Sequence, residues 1–312
     1  MNLPLCPVCE SHCKTSRFLS IPFLRSSLSK YYRKELPGFV VLRSYHMMTC
    51  QKCSLEFADP MVPGDPLFYG WISQQTGYYP QARWEWNAVI RELNKRKPPS
   101  ITLLEVGCGS GRFLELLKLE SEVQAIGLDT EPGAIDKCRR KGCEAYCQDL
   151  IAFLEERPSS RFDFVVAFHC LEHVPEPRRL LETMLSALKP GGTIFLSTPY
   201  SPMSFETGWF DPLNHPPHHM TRWNARAYEE LASIFGLNIL FRMPPSAGIL
   251  KRAYEALILG RFGPMGAPSK QIGRLSVVKA FWKIPIEIVK QACRARLNGG
   301  YCSDVVLAEF FK

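Results

Sequence analysis

The chain has 312 residues, of which 46% are hydrophobic and 22% charged, a globular balance that excludes a mostly disordered polypeptide and suits one large domain with an appendage. Its formal net charge is +8, and the stretch from Leu250 to Arg296 holds all of that excess, ten basic residues against Glu255 and Glu287. The remainder is balanced, which speaks against a protein that coats nucleic acid.

No apolar run approaches the ~18 residues of a membrane span. Met1–Cys6 has no basic region and no apolar core, so no signal peptide is expected. Twelve Cys, some in Cys-x-x-Cys pairs, then suit metal binding in a reducing, cytoplasmic setting better than a disulfide framework.

In chain order, residues 1–62 read as a small metal-binding domain with two knuckles, Cys6-Pro7-Val8-Cys9 and Cys50-Gln51-Lys52-Cys53, and a strand-like Phe39-Val40-Val41-Leu42 between them. Residues 63–98 read as a linker followed by a helix. Residues 61–80 are rich in Pro, Gly and Tyr, and 81–97 carry a helical apolar period stopped by Pro98-Pro99. From 99 to 312 strands and helices alternate. Strands are expected at Ile101–Val106, Val123–Leu128, Glu144–Tyr146, Phe162–Phe168 and Thr193–Ser197, with helices at Arg112–Leu119, Pro132–Lys141 and Pro177–Leu188. A helix at Ala225–Phe235 and strands at Leu237–Phe241 and Asp304–Phe310 complete the pattern. Repeated β-α alternation implies an α/β fold with a doubly wound, mostly parallel sheet.

The first strand runs into Leu104-Glu105-Val106-Gly107-Cys108-Gly109-Ser110-Gly111. Glycines there allow a sharp turn and a close approach of ligand to backbone, and the following helix offers free N–H groups. The spacing differs from the G-x-G-x-x-G of dinucleotide binding. Acids recur at successive strand ends: Glu105, Asp129 and Asp149. Ligands of open α/β sheets bind at these carboxyl ends. Three acids without a lysine suit a cationic nucleoside better than a phosphate.

With Phe162-Asp163-Phe164-Val165-Val166, Leu171-Glu172-His173-Val174-Pro175 and Leu188-Lys189-Pro190-Gly191-Gly192 in the same order, the set resembles the class I S-adenosylmethionine-dependent methyltransferases. The nearest branch is that of ubiquinone and menaquinone biosynthesis. The resemblance covers about residues 75–245 and the last strand, and implies a seven-stranded Rossmann-like sheet. It also implies that Gly107, Gly109 and Gly111, with Glu105 and Cys108, pack against the methionine part of S-adenosyl-L-methionine. Asp129, beside Thr130, would bind the ribose hydroxyls, and Asp149 and Leu150 the adenine edge. Phe168 and His169 would border the methionine amino group.

Two Cys-x-x-Cys pairs about forty residues apart suit a four-thiolate structural Zn²⁺ at Cys6, Cys9, Cys50 and Cys53, a closed tetrahedral site. The pattern resembles a methyltransferase subgroup with an amino-terminal zinc ribbon. Ser54 stands where most ribbons carry Gly, and His12 and Cys13 are close enough in sequence to replace a ligand. Cys138, Cys143 and Cys147 read as small buried hydrophobes.

Methyl transfer needs acceptor and methyl held in line and, for a hydroxyl acceptor, a proton removed. Histidine suits that base role. His173 after the fourth strand, and His215, His218 and His219 in Asp211–Thr221, are the candidates. Tyr200, Phe205, Trp209 and Phe210 are candidate walls for a small organic acceptor. His169, Glu172 and His173 also invite a divalent cation, since some quinone-branch relatives carry two acids and a His there; bracing of the loop by His173 is the other reading.

Residues 245–300 read as a basic helical insertion. In Val277–Arg294 charged positions form one stripe beside Phe281, Trp282 and Ile284, with a kink expected at Pro285. Residues 277–294 suit a lid or dimer element, or peripheral contact with an anionic membrane surface. The expected function is methyl transfer to an oxygen or carbon of a small-molecule, glycan or lipid-precursor acceptor. RNA base methylation and a non-catalytic interaction protein are the alternatives.

Overall fold

A computed structural model describes residues 3–75, 78–96, 100–203, 206, 210–244, 253, 284–297 and 303–312. Most of the 245–300 insertion, with Trp282, and the candidate walls Phe205 and Trp209 therefore lie outside the described residues.

The amino-terminal part holds β1 (Cys13–Leu19), α1 (Ile21–Tyr32), β2 (Tyr45–Cys50) and β3 (Glu56–Asp59). Helices α2 (Pro66–Ile72) and α3 (Trp84–Arg96) follow. The expected strand at 39–42 does not form. Its alternation is real, with Val40 and Leu42 buried and Phe39 and Val41 exposed. No neighbouring strand pairs with it, and the Arg25 guanidinium donates instead to the carbonyls of Leu36 and Val40, at 3.2 Å each. Helix α2 lies in the stretch read as a linker. It starts where Asp65 accepts from Phe68 N–H at 2.8 Å, with Pro66 in the first turn.

The main body runs β4 (Ile101–Val106), α4 (Arg112–Glu120), β5 (Val123–Asp129), α5 (Pro132–Arg140), β6 (Glu144–Cys147), α6 (Leu150–Glu156), β7 (Phe162–Phe168), α7 (Pro177–Ser186) and β8 (Leu188–Pro199). Next come β9 (Thr221–Arg222), α8 (Ala225–Ile234), β10 (Asn238–Arg242), α9 (Ile284–Leu297) and β11 (Val305–Phe311). Seven of these strands make one sheet in the order β10-β11-β8-β7-β4-β5-β6. Pairing is parallel from β8 to β6, while β11 runs antiparallel to both β8 and β10. Continuous apolar runs such as Val165-Val166-Ala167 are buried because helices cover both faces.

Lys189-Pro190-Gly191-Gly192 lies within β8 rather than ending α7; the β7–β8 register shifts between Phe162 and Phe164 to accommodate it. Helix α9 is described from Ile284 to Leu297, and the kink expected at Pro285 depends on residues 277–283, which lie outside the described residues. Cys138 is buried, but Cys143 is only partly so and Cys147 is exposed, which corrects the reading of all three as core. Among the described residues no helix is long and apolar enough to cross a membrane.

The second sheet has the order β1-β2-β3-β9. Its last strand comes from the histidine-rich segment after β8, with Phe57 opposite Thr221 and Glu56 opposite Arg222. Ala58 N–H donates to Met220 O at 2.8 Å and Gly64 N–H to Pro217 O at 2.9 Å. The N-cap of α8, Asn224, donates from its side chain to Ser54 O at 2.7 Å. One continuous core joins Cys6, Val8, Cys50, Cys53 and Phe57 to Leu104, Val165, Ile194 and Trp223. The knuckles and the large sheet are thus packed together, not tethered by a linker.

Candidate functional site

A cavity of about 940 Å³ opens over the carboxyl ends of β4, β5, β6 and β7. Glu105, Gly107, Cys108, Gly109, Asp129, Thr130, Asp149, Leu150, Phe168, His169, His173, His218 and His219 all line it. Gly111 and His215 do not. Gly111 lies one layer below, where a Cβ would stand 2.3 Å from Cys138 Sγ and 3.1 Å from Cys138 Cα. Its φ of 72°, with 76° at Gly107 and 51° at Gly109, is left-handed backbone that favours glycine. A Cβ at Gly109 would meet the Tyr79 ring at 2.9 Å.

Asp129 organises this turn. Its carboxylate accepts from Gly109 N–H at 2.8 Å and from Glu131 N–H at 2.9 Å. Burial raises its pKa, against the lowering effect of those N–H groups. Glu105 is buried, its Oε2 has no hydrogen-bond partner, and burial pushes its pKa well up. Asp149 accepts from Ala152 N–H at 2.8 Å and so caps α6 at the cavity edge.

His169 has a φ of 51° and is held between two buried carboxylates. Its Nε2 is 3.0 Å from Glu85 Oε1 and its Nδ1 is 3.3 Å from Glu172 Oε1. Burial alone would lower its pKa; the hydrogen bonds to Glu172 and Glu85 outweigh that and raise it. With both ring nitrogens engaged, His169 cannot ligate a cation alongside His173. A pKa raised in the folded state adds stability below the ordinary histidine pKa of ~6.5 that is lost as pH climbs through the folded value. The stability of the native chain relative to Glu85→Gln is therefore expected to be greatest near pH 6 and to shrink toward alkaline pH. Urea midpoints across that range would show it; a difference independent of pH would disprove the charged pairing.

Four histidines behave differently. Burial lowers the pKa of His173 and pushes His215, His218 and His219 well down, so each is neutral at neutral pH. The backbone draws three of them together: Met220 N–H donates to Glu172 O at 2.7 Å, and His173 Nδ1 donates to His218 O at 2.7 Å. His215 points elsewhere. Its Nδ1 donates to Asp211 O at 2.7 Å and its Nε2 accepts from Arg222, which also pairs with Glu206 at 2.6 Å. It braces the loop away from the cavity.

Two of the four candidate walls, Tyr200 and Phe210, are among the described residues. Tyr200 and Phe210 do not line the cavity; Phe210 packs on His215 with ring centroids 4.2 Å apart. Tyr69, Tyr78, Tyr79 and Trp86, with Arg83, do. Sequence reading missed the three tyrosines because 61–80 looked like a linker, although Asp65-Pro66 is a helix-start signal.

The four knuckle thiols lie within 4.8 Å of one another. Cys6 and Cys53 sulfurs are 3.7 Å apart and Cys9 and Cys50 sulfurs 3.5 Å apart. Hydrogen bonding from the Cys53 thiol lowers the Cys6 pKa to about 5, ready as a thiolate. Cys13 is outside the group; its thiol donates to Ser11 O at 3.3 Å, and burial raises its pKa to about 12. Glu10 and Ser54, each directly after a knuckle, take positive φ of 57° and 61°. Ser54 thus adopts the turn for which Gly is favoured.

Residues 79–240 match the family described as "Methyltransferase domain". The ubiquinone biosynthesis O-methyltransferase of Xanthomonas campestris pv. campestris is 39% identical over 110 residues, 32% of this chain and 44% of that protein. The enzyme of that name from Coxiella burnetii is 31% identical over 102 residues, 31% and 42%. The chain thus matches under half the length of these curated relatives. Among solved structures, a SAM dependent methyltransferase from Archaeoglobus fulgidus is similar at TM-score 0.48 and 18% identity, covering 79% of this chain and 98% of that one. With just over half its length matched, strand ends and glycine turn included, the chain belongs to the methyltransferase-domain family.

Proposed function

We propose that this chain transfers a methyl group from S-adenosyl-L-methionine to a hydroxyl oxygen of a small-molecule acceptor. The observation that carries the reading is the single cavity joining the glycine turn and strand-end acids to a wall of neutral imidazoles. Its size lies at the upper end of the ~300–1,000 Å³ of ligand pockets, room for cofactor and acceptor together. The residues fit the cofactor: a cradle that a Cβ would fill, and a buried carboxylate oxygen of Glu105 without a partner. The cofactor supplies an activated, positively charged methyl donor. Asp129 keeps lone pairs for a ribose diol beyond its two N–H bonds, and Asp149 and Leu150 border the adenine edge. His169, fixed by two carboxylates, positions the loop that carries His173. The three remaining imidazoles and the Tyr69, Tyr78 and Trp86 rings form the acceptor side, where the hydroxyl loses its proton. The relatives' printed activity, an O-methyltransferase of ubiquinone biosynthesis, supports an oxygen acceptor.

We further infer a structural Zn²⁺ at Cys6, Cys9, Cys50 and Cys53. Four thiols in one cluster suit a closed tetrahedral ion.

Cofactor binding by calorimetry tests the first step; no affinity at millimolar concentration would overturn the assignment. His173→Ala is expected to keep that affinity and to lose about 10²-fold or more in turnover on a panel of phenols and sugars. His215→Ala is expected to reduce stability instead. A fully active His173→Ala would remove the imidazole wall from the chemistry.

A further inference from the structure

One ring nitrogen from each of His173, His218 and His219 lies within 4.8 Å of the other two. Each Nδ1 is already committed to an oxygen: His173 to His218 O at 2.7 Å, His218 to Leu213 O at 2.9 Å, and His219 to Asn214 Oδ1 at 3.0 Å. Those acceptors require the proton on Nδ1, so Nε2 is the nitrogen each ring can offer, carrying a lone pair. Three such imidazoles have no proton to share among themselves through Nε2. The same Nδ1–H···O arrangement is what orients imidazoles that ligate metals. The competing protein group is the Tyr78 hydroxyl, 3.3 Å from His218 Nε2.

Glu172 gives a second, independent pointer. It is 1% exposed; its Oε1 meets His169 Nδ1 at 3.3 Å, and its Oε2 has no hydrogen-bond partner among the described residues. Its Oε1 lies 4.0 Å from His219 Nε2. A buried carboxylate oxygen without a donor, beside imidazole lone pairs, suits a bound cation.

We propose that His173, His218 and His219 bind a divalent transition-metal cation of the zinc type, with Glu172 beside it as a ligand or charge partner. Imidazole donors select zinc-like ions over magnesium or calcium. Three histidines leave a coordination position open, unlike the four-thiolate knuckles. All three line the large cavity, so that position faces the acceptor. This part deepens the methyl-transfer reading and rests on it: the acceptor hydroxyl takes the open position and becomes more acidic there. Its proton passes to water. The oxygen lone pair then forms the O–CH₃ bond as the C–S bond breaks onto sulfur, giving the methyl ether, S-adenosylhomocysteine and one proton.

Metal analysis of the full chain, purified with zinc and then desalted, tests the site without any turnover. Two zinc per chain are expected, falling to one in His218→Ala and in His219→Ala. Cobalt(II) substitution distinguishes the two ions. Knuckle-bound cobalt gives intense thiolate-to-metal charge-transfer absorption, whereas an imidazole site adds only weak visible bands, and those bands alone should vanish in the histidine variants. One metal per native chain, or a cobalt spectrum of thiolate type only, overturns the proposal even if a variant misfolds. Two metals without methyl transfer uphold the site and overturn the acceptor reading; methyl transfer with thiolate-bound metal alone does the reverse.

Discussion

Cys53→Ser is expected to lose the knuckle-bound zinc and to lower both thermal stability and turnover together. Structural zinc contributes on the order of 10–16 kcal/mol of apparent binding free energy in small zinc domains. In this chain any such energy would not be confined to an appendage. The cysteines share a core with Leu104, Val165 and Trp223, and β3 pairs with β9 directly after the histidine segment. Losing only about 4 kcal/mol would lower the melting temperature by roughly 8–16 °C in a domain of this size. The carbonyls of Pro217 and Met220 would also lose the hydrogen bonds from Gly64 and Ala58 that hold His218 and His219 in place. Calorimetric melting with parallel metal analysis checks this. A zinc-free variant that melts and turns over like the native chain would show the knuckles to be an independent module.

Asp129→Ala should weaken S-adenosylmethionine binding about 100-fold or more. The side chain accepts two backbone N–H bonds, from Gly109 and Glu131, that set the shape of the first two strand-end turns. Hydrogen bonds to a charged group contribute about 1.5–3 kcal/mol each. Loss of one in the turn, plus the bonds offered to the ribose, exceeds the ~2.7 kcal/mol that 100-fold requires. Asp129→Asn, which can still accept one of the two N–H bonds, should fall between. Calorimetric titration decides it: an Asp129→Ala affinity within tenfold of the native one would mean that the ribose is held elsewhere.

The two predictions draw on different kinds of information. Asp129 and its neighbours were legible in the sequence because a βα turn is local. Glycines, the acid at the next strand end and the first helical N–H groups lie within a few residues of one another or in adjacent strands. The same holds for the buried strands, whose apolar runs match β4, β5 and β7 within a residue. The cysteine pairs were legible because knuckle spacing is itself local, and the four thiols did come together.

The acceptor side was legible only in outline. Histidine type and position after β8 named His173, His215, His218 and His219, but nothing in the spacing separated His215, which pairs with Arg222, from the three that meet. That separation depends on backbone bonds between segments some fifty residues apart, such as Met220 N–H to Glu172 O. Tyr200 and Phe210 were misplaced for a related reason. They follow β8 in sequence, whereas Tyr69 lines the cavity from α2, whose Phe68, Trp71 and Ile72 share a core with Tyr45, Met47 and Ala58 of β2 and β3.

What the sequence determined by itself was the periodicity of a buried parallel sheet, the glycine turn with its acids, and a cluster of four thiols. Each follows from short-range sterics, hydrogen bonding or ligand chemistry. Only the tertiary structure decided that the knuckle sheet recruits β9 from the far side of the chain, that His169 is clamped by Glu85 and Glu172, and that three imidazoles converge beside the buried Glu172 carboxylate. Those outcomes are set by long-range packing, in which residues far apart in the chain are buried together and must satisfy one another's polar groups.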